Sequence, residues 1–142
     1  MEADEIVEKV REAAEEVYGR LGGGFDESIY RDAMKIELRE EGIECVRERN
    51  IDLYYKDNLL GQGYIDLFVE GEVIVELKAK SSVGKREKNQ IRVYLNSSEK
   101  DDTLPDIEHG ILVNFPRFSE DEMDCEFCEE SDEPDVVSVE KG

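Results

Sequence analysis

At 142 residues, 39% of them charged and with a formal net charge of −20, the chain is long enough for one domain with a sizeable core. It is too acidic overall for broad, non-specific binding to nucleic acid. No stretch approaches a membrane span, and Met1-Glu-Ala-Asp-Glu5 lacks the features of a signal peptide, so no membrane partner is expected. Three cysteines, an odd number, give no disulfide framework and predict a reducing, cytoplasmic setting.

Ile6, Val10, Ala13, Ala14, Val17, Tyr18 and Leu21 recur at helical spacing, which predicts an amphipathic helix over about 4–20, broken by Gly22-Gly-Gly24. A second helix is expected from Asp26, as N-cap, to about Glu41, with Ile29, Tyr30, Ala33, Met34 and Leu38 facing inward and Gly42 ending it. Segments 43–48 and 51–56 read as two strands or one long bent strand. A turn follows at Asp57-Asn58, then strands over 59–69 and 72–80. Gly84 opens a third helix over about 85–97, residues 101–108 form a loop, and Gly110 to Phe115 is a short buried strand. His109 is expected in the loop before that strand. The order describes a mixed α/β domain over 1–118. Residues 119–142, with eleven acids against one base, are expected to form an acidic, disordered tail without a periodic core, although Val136, Val137 and Val139 could add an edge strand.

Charges in the 63–79 segment are the feature that points to chemistry. Alternation along a strand places Ile65, Leu67 and Val69 on one face and Tyr64, Asp66 and Phe68 on the other. In the next strand Val73, Val75 and Leu77 oppose Ile74, Glu76 and Lys78. A hairpin that aligns the apolar triplets pairs Val69 with Val73 across the loop Glu70-Gly71-Glu72 and sets Asp66 opposite Glu76. Facing carboxylates repel. Lys78, on the same face, relieves part of that repulsion, and a divalent cation would relieve the rest. Against this stands the ordinary alternative of solvent-facing residues on a half-exposed strand; the apolar neighbours Tyr64, Phe68 and Ile74 argue instead for a cleft.

Two further clusters stand out. Between Lys78 and Arg92 lie six bases (Lys78, Lys80, Lys85, Arg86, Lys88, Arg92) against one acid, Glu87: either a grip on phosphate or a solvated helix face. Ser81 to Gly84 could add backbone N–H groups to such a grip. Cys125 and Cys128 form a C-x-x-C, but zinc held within one subunit would also need Cys45 and His109.

Gly24-Phe-Asp-Glu27-Ser-Ile-Tyr30 has the form G-x-x-E-x-x-Y. Together with Asp66, Glu76-Leu-Lys78, Gln90-x-x-x-Tyr94 and the strand Gly110 to Phe115, it resembles the GxxExxY family of the PD-(D/E)XK nuclease-like superfamily, over roughly residues 5–118. The resemblance implies a restriction-endonuclease-like core, a mixed central β-sheet flanked by helices. Asp66 then matches the metal-binding aspartate, Glu76 and Lys78 the E-x-K element, and Glu27 the glutamate from a helix near the N-terminus. Gln90 and Tyr94 match a Q-x-x-x-Y element. Gly63-Tyr64-Ile65 stands where many nucleases carry a proline.

The implied activity is hydrolysis of DNA, with RNA not excluded. Asp66 and Glu76 would hold Mg²⁺ or Mn²⁺, helped by the Leu77 carbonyl, and Lys78 would assist the attacking water. Glu27 could ligate a second ion or hold a metal-bound water, and has a competing role as an acid favoured at the start of a helix. Gln90 and Tyr94 could serve helix packing and capping as readily as nucleic-acid contact. The alternative function is a catalytically silent nuclease-fold subunit whose acidic tail engages a basic protein partner. The tail could also fold back on the basic stretch and restrain activity. A homodimer would give so small a nuclease more binding surface.

Overall fold

The computed structural model describes residues 1–116 and 133–141. Helices α1 (Ala3–Leu21) and α2 (Glu27–Glu40) precede strands β1 (Cys45–Tyr55), β2 (Asn58–Val69) and β3 (Val73–Lys78). Helix α3 (Lys85–Ser98), β4 (His109–Asn114) and β5 (Asp135–Glu140) follow. The five strands form one sheet in the order β1-β2-β3-β4-β5. Only β3 and β4 run parallel, joined by the α3 crossover; the other neighbours are antiparallel.

Helices α1 and α2 cover one face. Ile6, Val10, Val17, Tyr30, Met34 and Leu38 pack there on Leu67, Val69, Val73, Val75, Leu77, Ile111 and Val113. Helix α3 covers the other, with Ile91, Tyr94 and Leu95 on Ile51, Ile65, Phe68, Ile74 and Leu112. This is the mixed α/β sheet flanked by helices that the element order predicts. Among the described residues no helix is long and apolar enough to cross a membrane.

One reading left open by the sequence is decided and two expectations change. First, β1 is one strand, with Glu48 in the left-handed region at φ 56°. Its two ladder neighbours face opposite ways: the Arg47 guanidinium donates to Asp32 on α2, whereas Arg49 donates to the Thr103 carbonyl beyond α3. Second, β2 switches face at the paired position. Leu67 lies under α1 and α2 as alternation requires, but Ile65 lies with Phe68 under α3, and Tyr64 is 60% exposed. Both strands therefore cross over at Glu48 and Asp66, between the register pairs Arg47↔Leu67 and Arg49↔Ile65. Strict alternation fails there because β1 and β2 continue past α2 and can bury side chains only under α3. Third, the ordered sheet extends past residue 118. Val136, Val137 and Val139 belong to β5, which pairs with all of β4, and Val139 is buried. Residues 119–132 and 142 of the expected tail, with Cys125 and Cys128, lie outside the described residues.

His109 is the first residue of β4 and half-buried. Cys45, Val69, Val73 and His109 lie in one row across four strands. Three strand spacings put Cys45 about 14 Å from His109, too far to share a zinc ion whose ligands sit about 2 Å from the metal.

Candidate active site

The β2–β3 hairpin has the predicted register, Val69↔Val73 through Leu67↔Val75. Its turn places Glu70 (φ 55°) and Gly71 (φ 65°) in the left-handed region, closed by a hydrogen bond from Glu72 N–H to the Val69 carbonyl. Glu70 tolerates this because its backbone and its carboxylate both bond to Glu44 at the mouth of β1.

Beyond Leu67↔Val75 the carboxylates replace the backbone ladder. The Asp66 N–H donates to Glu76 Oε1 at 3.2 Å, and the Leu77 N–H donates to Asp66 Oδ2 at 2.8 Å. Each acid thus accepts from the strand that carries the other, and the two side chains interlock where β2 changes face. Glu76 is only 3% exposed. Burial, and then the Asp66 carboxylate beside it, push the Glu76 carboxyl up to about 9; the nearby Lys78 ammonium opposes part of that rise.

Helix α3 forms the wall of this gap. A Cβ at Gly63 would lie 2.8 Å from Tyr94 Cε1, so the glycine is what lets the Tyr94 ring rest on β2. Burial, followed by the field of Glu76, raises the Tyr94 phenol above its ordinary value. Gln90 Nε2 donates to Tyr94 Oη at 3.3 Å. Asp66, Glu76, Gln90 and Tyr94 are therefore brought together, with half-buried Lys78 at the end of β3.

Glu27 approaches from the other layer. It is the first residue of α2, exposed, and lines a cleft with Phe25, Asp26, Ser28, Arg31 and Ala79. Asp26 stands at the N-cap, though its side chain makes no capping hydrogen bond. The conformation of this segment is set by Tyr30. Its hydroxyl donates to the Gly22 carbonyl at 2.7 Å and accepts from Phe25 N–H at 3.3 Å, while its ring stacks on Phe115 at 4.2 Å. Gly24, at φ 102°, makes a turn open to few other residues. The glycine, glutamate and tyrosine of this segment thus form one structural unit, in which buried Tyr30 fixes the loop from which Glu27 emerges.

The basic stretch is divided. Lys85, Arg86 and Arg92 are exposed and Lys88 is half-buried. Lys80 is paired with Glu87 at 3.2 Å. The same Glu87 carboxylate accepts from the Gly84 N–H at 2.8 Å, and this bond leads the contacts that hold it down at about 2. The N-terminus of α3 is thereby already occupied by a carboxylate, which takes up the N–H group of Gly84 considered for phosphate.

Three residues of this region carry no signal in the sequence. Buried Asn114 extends the β3–β4 pairing with two side-chain bonds to the Lys80 backbone, both 2.9 Å, just past Lys78. Arg31 lies one helical turn from Glu27 and pairs with Glu48 at 2.9 Å. The spacing of Arg31 from Glu27, one turn on a helix rich in charge, does not single it out, and the left-handed backbone of Glu48 has no local mark in the sequence.

Among the described residues, no three His, Cys, Asp or Glu side chains gather in a cluster suited to metal. The Asp66–Glu76 pair is nevertheless a hard-oxygen donor set. Each acid has one oxygen tied to the backbone, and burial beside a second carboxylate favours the protonated form of Glu76. A hard divalent cation fits such a pair in place of a proton.

The family model described as the PD-(D/E)XK nuclease superfamily matches residues 4–125. Among solved structures, the chain is similar to one titled "Crystal structure of SSO0001". The identity is 16% and the TM-score 0.50, over 80% of this chain and 49% of that one. The chain thus spans about half the length of that protein, and the likeness is one of fold. A phage-related exonuclease from Haemophilus somnus 129PT also matches, at 14% identity and a TM-score of 0.37, over 99% of this chain and 72% of the other. No curated protein matches.

Proposed function

We propose that this chain, which belongs to the PD-(D/E)XK nuclease superfamily, is a metal-dependent nuclease that hydrolyses phosphodiester bonds of DNA, with RNA as the second candidate substrate. The observation that carries the reading is the interlock of Asp66 and Glu76 across the gap between β2 and β3. A structural ion pair would match one acid with one base, whereas here two acids share a site.

Asp66 and Glu76 would hold Mg²⁺ or Mn²⁺, with the Leu77 carbonyl as a further oxygen. When bound, the ion supplies positive charge for the scissile phosphate and an acidified water. Lys78 Nζ orients the attacking water or offsets the charge gathering on the phosphoryl oxygens. Glu27, from the opposite layer, accepts a proton from, or holds, a water at the cleft mouth. Gln90 and Tyr94 form the wall against which the nucleic acid rests. Lys85, Arg86, Lys88 and Arg92 contact neighbouring phosphates, and Lys80 joins them only by leaving Glu87. The arrangement of Gly24, Glu27 and Tyr30 supports a finer placement in the GxxExxY family. A cytoplasmic setting suits the odd number of cysteines, and a homodimer would extend the binding surface.

The test is cleavage of labelled single- and double-stranded DNA with Mg²⁺ or Mn²⁺, at low and molar salt, beside Lys78→Ala and Asp66→Ala. Metal-dependent cutting lost in both variants supports the reading; cutting that survives in both marks a contaminant. A second reading, a catalytically silent binding subunit, is favoured by the net charge of −20 and by the engagement of Lys80 with Glu87. A well-folded protein that cuts under no condition would turn the assignment to that reading.

A further inference from the structure

Arg31 has a contact pattern that the fold alone does not explain. Its side chain is 18% exposed, and its NH2 group pairs with Glu48 Oε1 at 2.9 Å. Its Nε is fully buried and has no hydrogen-bond partner among the described residues. A bare buried N–H is rare in folded proteins and calls for an acceptor that the protein itself does not supply, whether a water, a ligand or one reached by a second position of the side chain. Arg31 also lines the cleft that contains Glu27 and Ala79, and Ala79 follows Lys78 directly. Its anchor, Glu48, sits at the strand crossover, between the register pairs that flank Asp66. The Arg31–Glu48 pair therefore links α2 to the backbone turn that aims Asp66.

We infer that Arg31 binds a phosphate of the nucleic-acid substrate, with Glu48 holding the guanidinium ready through one nitrogen. This inference rests on the nuclease reading and names a substrate contact for it. A guanidinium is a planar fork of five donors that matches two phosphate oxygens at once, and a carboxylate on one arm leaves the others to a second anion. A phosphate entering the cleft beside Lys78 would draw the guanidinium part of the way from Glu48 and give Nε–H the acceptor it lacks. Lysine, a point charge without the fork, would meet only part of this demand.

The experiment measures binding of a short DNA duplex in Ca²⁺, where binding can be read without cleavage, across a salt series. The wild type is compared with Arg31→Ala, Arg31→Lys and, as a surface control, Arg11→Ala; cleavage in Mg²⁺ is followed in parallel. Arg31→Ala is expected to weaken binding about tenfold and to reduce the slope of log K against log salt by about 0.9, the signature of one lost phosphate contact. Arg31→Lys is expected to recover the slope but not the full affinity. Melting temperatures identify any variant that has lost its fold, and Arg31→Lys, which keeps the charge, then carries the comparison. An unchanged affinity and salt slope in Arg31→Ala, with cleavage intact, overturns the inference and leaves the nuclease reading standing. A wild type that neither binds nor cuts DNA overturns both.

Discussion

At the scale of single residues, the protonation of Glu76 makes the most direct prediction. Its carboxyl is raised from 4.5 to about 9 by burial and by Asp66. A carboxyl whose folded pKa lies above its unfolded value holds its proton more tightly in the folded chain. The linked stability is complete below the unfolded value and is lost as pH rises through the folded one. In a chelator, the melting temperature should therefore fall steadily from pH 5 to pH 9, and Glu76→Gln should flatten that fall. Mg²⁺ or Mn²⁺ should restore stability at the alkaline end of the wild-type profile and do little for the Gln variant. A wild-type profile as flat as that of Glu76→Gln would contradict the account. Tyr30 offers a second residue-scale test. Tyr30→Phe keeps the stack on Phe115 but loses both loop bonds of the hydroxyl, so urea unfolding should report a loss of about 1–2 kcal/mol. Cleavage should fall further than stability, because Glu27 then leaves a looser loop. Asp66, Glu76 and their opposition were legible in the sequence because hairpin register follows from two apolar triplets. Arg31 and Glu48 were not, since nothing in a string of charges tells which pairs sit at a strand crossover.

At the scale of elements, the docking of α3 on the sheet depends on two missing side chains. A Cβ at Gly63 would meet the Tyr94 ring at 2.8 Å, and one at Gly110 would lie 2.4 Å from Ile91 Cγ2. Ile91 is deep in the core with nothing to yield, so Gly110→Ala should cost about 1–3 kcal/mol by overpacking, read as a lower urea midpoint with an unchanged slope. Gly63→Ala should instead displace Tyr94 from the acids. Its effect is expected chiefly on catalysis and on the alkaline titration of the phenol, followed by ultraviolet difference spectroscopy. Helix boundaries were readable to within one or two residues, because the 3.6-residue repeat of α1, α2 and α3 is a local property and Gly22 and Gly42 terminate their helices locally. The faces of β1 and β2 were not, because which side β1 buries after Glu48, and β2 before Asp66, depends on where α2 stops covering them.

At the scale of the whole molecule, the net charge of −20 is a standing repulsion that the fold must absorb. Salt screens it, so the melting temperature at neutral pH should rise between about 0.05 M and about 1 M NaCl; a fall over that range would show that specific ion pairs outweigh the general repulsion. Strand β5 makes a second prediction. A chain ending at Pro116 bares the edge of β4 and exposes the partners of buried Val139. It should lose about 2 kcal/mol or more and gain a tendency to associate, measured by urea unfolding and light scattering. Zinc shared by Cys45 and His109 is excluded at this scale alone, since only the strand order separates them.

What the sequence determined by itself are the properties carried by neighbouring residues: the three helices, the strand segments, the tight β2–β3 register and, through it, the pairing of Asp66 with Glu76. Each follows from a repeat of 2 or 3.6 residues and a turn of fixed length, and needs no knowledge of distant parts of the chain. Only the tertiary structure decided the rest. The crossover at Glu48 and Asp66, the bare Nε of Arg31, the capture of Lys80 by Glu87 and the inclusion of β5 in the sheet all depend on which layers compete for the same side chains. Burial is shared among segments far apart in sequence, so its outcome belongs to the assembled molecule.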